Sequence, residues 1–397
     1  MSPIDPVELL GRLVAIDSQN PEPGEAEIVG FVADLAATLG FETRIFETRP
    51  GRPNLLVTVD AGPGPAIGLA GHLDTKPVGQ ARAEWRTPPL ELTVKGDMGY
   101  GLGTSDMKGA VAAMLAATQR WAATARRGRL CLVLTADEEA GGELGAWPLA
   151  ASGLLDVDGV VIGEPSGIEQ PWEAIHLVSR GVCCFDVELR SRQGHSGLSP
   201  RLPTSASVAA AKAVLALNDL TLSHPVEASY PCEPTVNAGV QIEAGVYYGV
   251  HPGFARVACD VRLVPGMSRE QLDREVTSAL EAVLPADVEW AVSYREDRLG
   301  WIPAVEIAPD HLIVSAARAA CEHVLGRKLP FAAYPGTTDA TALTTEAGIP
   351  CIASLGPGWL SVAHGPNERV GLTQVREATE IYESLVATYL CDDQSGF

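Results

Sequence analysis

No apolar run in this 397-residue chain approaches the length that crosses a bilayer, roughly 20 residues for a helix. Basic residues are also scarce: 29 Lys and Arg stand against 50 Asp and Glu, a formal net charge of −21. Nucleic acids and anionic membranes are held by clustered cations, so the charge argues against both as partners. Small substrates stay open, because a local metal charge can outweigh a diffuse surface field. CxxC pairs are absent. The eight cysteines (Cys131, Cys183, Cys184, Cys232, Cys259, Cys321, Cys351 and Cys391) are scattered, several inside apolar runs where a thiol packs as a small hydrophobe. That pattern offers neither a disulfide framework nor a zinc finger and predicts a reducing cytoplasm. The start, MSPIDPVELLGRLVAI, lacks a basic segment leading into a continuous apolar one, and reads as a short amphipathic helix rather than a signal peptide. Internal repeats and low-complexity tracts are missing too.

What is present suits a globular protein of about two domains, with 46% apolar and 20% charged residues. From Val7 to Arg180, strand-like and helix-like patterns alternate, which predicts an α/β layer with a largely parallel sheet. NLLVTVD, AIGLAG, RLCLVLTA and GVVIG are short apolar strands, while IVGFVADLAATLG and MKGAVAAMLAATQRWAAT are helices. After Arg180, CCFDVELRSR, ARVACDVRLVP and VEWAVSY read as strands, the first two by alternation. With the helices TSASVAAAKAVLALNDL and SREQLDREVTSALEAVL they suggest a β-α-β-β-α-β order. The helix HLIVSAARAACEHVLG then resumes the first texture. Residues 1–180 and 294–397 are therefore expected to form one α/β domain, interrupted by an inserted α+β domain at 181–293.

Three strand ends and one helix start carry chemistry. AIGLAG runs into His72 and Asp74, RLCLVLTAD into Asp137, Glu138 and Glu139, and GVVIG into Glu164, while GYGLGTSDMKG sets Asp106 at the mouth of the Ala-rich helix. In an open parallel sheet the loops after the strands share one edge, where such folds build their sites. Singly, each has an ordinary reading: His72 a core histidine, Asp74 a turn cap, Asp106 a helix cap, Glu138 and Glu139 a solvated turn, Glu164 a loop carboxylate. His364, in WLSVAHGPNERV, reads alone as a surface histidine. On one edge, unpaired carboxylates would repel each other and resist desolvation, and a divalent cation removes the conflict. Nitrogen and oxygen donors without thiolate suit Zn²⁺, Co²⁺ or Mn²⁺. Two other motifs fail on spacing. Thr104 stands where GxGxxG needs its last glycine, and Leu198 stands where GxSxG needs its second.

GHLDTKPVG, GYGLGTSDMKGAVAAML, LTADEEAG, VIGEPS, GHSG and AHGPNE together span nearly the whole chain. In that order they resemble the co-catalytic zinc aminoacylase and carboxypeptidase family that includes acetylornithine deacetylase and succinyl-diaminopimelate desuccinylase. The resemblance implies a mostly parallel-sheet catalytic domain with an inserted, ferredoxin-like lid and dimerisation domain, working as a cytoplasmic homodimer. It implies two divalent ions, Zn²⁺ with Co²⁺ able to substitute: one held by His72, Asp106 and Glu164, the other by Asp106, Glu139 and His364. Asp74 would accept the second ring N–H of His72 and Glu138 would be the general base. His195 would stabilise the oxyanion in the partner subunit's site, and Arg262 would bind the substrate carboxylate. Asn237 and the GTTD segment, with Gly336 and Thr337, would line the substrate. The implied reaction is amide hydrolysis of a small N-acyl amino acid, since Glu rather than Asp at 164 resembles the deacylase and glutamate carboxypeptidase branches. A dipeptidase or carboxypeptidase is the alternative within the class. A non-catalytic metal-binding homologue is the alternative outside it, against which the full ligand set with Glu138 speaks.

Overall fold

The central sheet takes its strands in the spatial order Glu42–Glu47, Pro53–Asp60, Arg129–Thr135, Ala66–His72, Gly159–Ile162 and Cys351–Ile352. The computed structural model describes residues 2–226 and 230–391. Ala66–His72 runs parallel to both of its neighbours, and Cys351–Ile352 runs parallel to Gly159–Ile162. Pro53–Asp60 is antiparallel to both of its own neighbours. The sheet is therefore mixed: Pro53–Asp60 alone runs against the other five strands. Connection length explains that reversal. Thr48–Arg52 and Ala61–Pro65 are too short for a crossover, which takes about a dozen residues or more, so the chain reverses at each. Apolar runs alone carry no strand direction.

Ala66–His72 is buried along its whole length. Its glycines let neighbours approach closely: a Cβ at Gly68 would lie 2.7 Å from Val160 Cγ2, and one at Gly71 would lie 2.6 Å from Met107 Cε. The Ala-rich helix Gly109–Thr124 is covered on nearly all sides, by the helix Leu372–Cys391 and by Pro6–Val14 among others. Asp5 caps Pro6–Val14 through the N–H groups of Val7 and Glu8, with Pro6 opening the first turn. Each fully buried aliphatic side chain here contributes about 1.5–3 kcal/mol, which fixes the strand ends that carry the site.

By contacts the chain divides into Met1–Ser179 with Glu306–Phe397, and Arg180–Val305. In the second unit the strands lie in the order Thr235–Ala244, Phe254–Leu263, Gly181–Arg190, Glu289–Tyr294, and every pair is antiparallel. Helices Ala206–Asn218 and Arg269–Glu281 are capped by Ser205 and Ser268 and cover one face. Cys183, Phe185, Val187 and Leu189 meet Val257, Cys259 and Val261 there, beneath Ala209, Ala213, Leu272 and Val276. The second junction falls at Val305, not at 293. Ile302 exchanges main-chain hydrogen bonds with Val182, at 2.9 and 2.8 Å, which keeps the segment after Tyr294 on this unit.

Candidate metal centre

Parallel pairing sets His72 beside Thr135, so the two strands deliver Asp74 and the turn 137–140 to the same edge. Ala70 pairs with Ile162, which brings Glu164 alongside. Asp106 lies in the segment Thr104–Lys108 that leads into the Ala-rich helix, and its peptide to Met107 is cis. His364 arrives from the loop before the strand Arg369–Gly371, at φ 59°.

These side chains form two groups joined at Asp106. His72 Nε2 lies 2.9 Å from Asp106 Oδ1 and 3.5 Å from Glu164 Oε1. His364 Nε2 lies 3.0 Å from Asp106 Oδ2 and 2.9 Å from Glu139 Oε2. Ligand-capable atoms of His72, Glu138 and Glu164 all fall within 4.8 Å of one another, as do those of His72, Asp106 and Glu139. Glu138 thus sits against the His72–Glu164 side.

Asp74 acts differently from the expectation. His72 Nδ1 is 3.0 Å from the main-chain carbonyl of Asp74 and 3.6 Å from its Oδ1. The carboxylate instead accepts the N–H groups of Glu138 and Glu139, at 3.3 and 3.2 Å, and Asn20 Nδ2 at 2.8 Å. Its side chain fixes the acidic turn, while its backbone orients the imidazole.

The electrostatics are those of a site built around positive charge. Burial drives the Glu138 carboxyl well above its ordinary range, against the pull of His72 and with Glu164 and Asp339 adding to the rise. Burial and the neighbouring Asp106 push Glu164 up to about 7. Burial also opposes ionisation of Asp106, yet hydrogen bonds from His364 and His72 hold its carboxyl below the usual range. Burial disfavours the His364 cation, but Asp106 and Glu139 outweigh it and raise the imidazole to about 10. Imidazole nitrogens, carboxylate oxygens and a carboxylate divided between two groups form a donor set that fits divalent ions.

Glu368 and Tyr334 also contribute, without a role expected from the sequence, and the GTTD segment lies nearby. Buried Glu368 accepts the N–H groups of Gly103, Ser105 and Asp106, at 2.9, 2.8 and 3.0 Å, and so holds the Asp106 loop. It stands in the AHGPNE motif four residues after His364, which is its only sequence signal. Buried Tyr334 donates to Glu164 Oε2 at 3.3 Å. Asp339, last residue of GTTD, accepts from Thr135 Oγ1 at 2.5 Å. Gly336 and Thr337 are half-buried in the loop between these two contacts.

In the second unit, His195 pairs with Val250 at the end of a two-residue strand and its ring is exposed. Its Nδ1 accepts from the Gly197 N–H at 3.1 Å, so the ring proton belongs to Nε2. Arg262 Nη2 donates to Asp260 Oδ2 at 3.0 Å on the sheet face away from the helices. Asn237 pairs with Asp260 across the edge strand and is exposed.

Residues 68–388 match the family model for peptidase family M20/M25/M40. A succinyl-diaminopimelate desuccinylase of Parvibaculum lavamentivorans is 27% identical over 401 residues, covering 98% of this chain and 96% of its own. An acetylornithine deacetylase of Vibrio vulnificus is 30% identical over 391 residues, covering 94% and 95%. In fold, the chain is similar to an M20 family metallo-carboxypeptidase from Sulfolobus solfataricus, with TM-score 0.78, 18% identity, and 98% and 99% of the two chains covered. The chain belongs to peptidase family M20/M25/M40.

Proposed function

We propose that this protein is a metal-dependent hydrolase that cleaves the amide bond of small N-acyl amino acids bearing a free carboxylate. Relatives named acetylornithine deacetylase and succinyl-diaminopimelate desuccinylase support that class. The carrying observation is the division of Asp106 between two imidazole–carboxylate groups. In this reading His72, Asp106 and Glu164 hold one ion, and Asp106, Glu139 and His364 hold a second. Zn²⁺ suits the donors and Co²⁺ can replace it. Bound there, the ions would polarise the amide carbonyl and acidify water.

Glu138 takes the proton from the attacking water and returns it to the leaving amine. Its proximity to His72 and Glu164 supports this role. Arg262 grips the substrate carboxylate in exchange for Asp260, and Asn237, Gly336 and Thr337 line the substrate. His195 offers its Nε2–H to the oxyanion in the partner subunit's site, a role its tautomer supports. The unit Arg180–Val305 serves as lid and dimerisation domain, in a cytoplasmic enzyme. Mixed dimers of His195→Ala and Glu138→Ala subunits test the trans assignment: they should recover about half the wild-type activity, and mixing that restores nothing would refute it.

The reading is tested by comparing an N-acyl amino acid with its carboxamide analogue. Capping the carboxylate leaves Arg262 without its ligand and should lower kcat/KM by 10²-fold or more, on the order seen when a charged partner is lost. Equal rates on the two would refute a carboxylate-directed substrate.

A further inference from the structure

Lys76 makes three contacts with one residue, Glu139. Its main-chain N–H donates to Oε1 at 3.1 Å, its Nζ donates to the main-chain carbonyl, and the same Nζ lies 3.2 Å from Oε2. That Oε2 is also the oxygen 2.9 Å from His364 Nε2. Any cation held by Glu139, His364 and Asp106 therefore shares its carboxylate with an ammonium already in contact. The Glu139 side chain is 3% exposed, so solvent screens this repulsion weakly. The His72–Glu164 side differs: its described partners are Asp74, Asp106, Tyr334 and Ser354, none of them cationic.

We propose that Lys76 is a competitor for the second metal ion, built into the site, which makes the two ions load in order and with unequal affinity. This rests on the two-ion reading above. The first ion enters at His72, Asp106 and Glu164. The second is held firmly only after the ammonium leaves Glu139. Its side chain is already 37% exposed, so an exit to solvent is open. Lys76 thereby acts through Glu139 as a positioning residue, and sets how much of the protein carries both ions at a given free-metal concentration.

The test is calorimetric titration of Zn²⁺ into the chelator-stripped full chain, for wild type, Lys76→Met, Lys76→Arg and Lys95→Met. Lys95 is an exposed cation on the strand Thr93–Lys95 and controls for net charge. Wild type should bind two ions in unequal steps. Lys76→Met should tighten the second step by about tenfold or more, as removal of a poorly screened like charge requires, and leave the first nearly unchanged. Lys76→Arg and Lys95→Met should behave as wild type. An unchanged second step in Lys76→Met, or equal tightening of both steps, overturns the role of Lys76 while leaving two ions in place. Tightening by Lys95→Met to the same degree also overturns it. Saturation at one ion or none in wild type and Lys76→Met alike refutes the two-ion reading, and this proposal with it.

Discussion

Asp106 presents one oxygen to each of two histidines, with Oδ1 2.9 Å from His72 Nε2 and Oδ2 3.0 Å from His364 Nε2. These partners lie 34 residues before it and 258 after it in sequence (364 − 106), and only the folded sheet edge brings them together. Asp106→Asn replaces one oxygen with an amide that cannot bind a cation, so it should lose at least one ion. His364→Ala should lose the second ion and keep the first. Elemental analysis after gentle dialysis reads both, and unchanged stoichiometry in either variant contradicts the assignment.

Glu138→Gln should retain metal and fold but turn over about 10²–10⁴-fold more slowly, because only the proton carrier is removed. Rate, metal content and thermal unfolding measured on one preparation separate this from misfolding. A variant with near wild-type kcat would leave Glu138 without a role in proton transfer.

His176 is buried, and burial lowers its imidazole from 6.5 to about 4, with Glu173 opposing. Below pH 6.5 the unfolded chain takes up a proton that the folded chain refuses until about pH 4. Stability should fall as pH drops through that window, by up to about 3 kcal/mol from this group. His176→Phe should flatten that part of the curve. Denaturant melts of both proteins at pH 7 and 4.5 decide it, and parallel losses would rule out His176 as a source.

Gly68→Ala should cost about 1–3 kcal/mol, because the new methyl meets a Val160 methyl on the neighbouring strand rather than a flexible chain end. Gly30, within the helix Ala26–Thr38, has nothing within 4 Å of a Cβ. Gly30→Ala should be neutral or stabilising, by about 0.5–1 kcal/mol. Thermal melts of the pair check it: similar shifts in the two would mean that close strand packing is not what requires Gly68.

Much of this site is legible in the sequence because its residues stand at the ends of short apolar strands. His72, Asp106, Glu139, Glu164 and His364, which the resemblance groups, are the residues brought together at one edge. Strand direction was not legible from hydrophobicity, although the short links 48–52 and 61–65 carry it. The strand Thr235–Ala244 was not singled out: it is a partly exposed edge strand whose polar–apolar alternation is broken at Gly239, where the register shifts between Ala238 and Gln241. Asp74 was recognised as a partner of His72, but sequence cannot tell a carbonyl oxygen from a carboxylate oxygen. Glu368 acts through three contacts across 262 to 265 residues and Tyr334 through one across 170, separations no local pattern records.

The central claim is metal-dependent amide hydrolysis, and one measurement bears on it most directly. Amine release from a panel of N-acyl amino acids, N-acetylornithine included, is followed for one preparation as purified, after chelator, and after Zn²⁺ is restored. The account predicts turnover of at least one member that disappears with the metal and returns with it, in step with the zinc bound. Equal hydrolysis by metal-free protein, or none by protein shown to carry zinc across the whole panel, would contradict it.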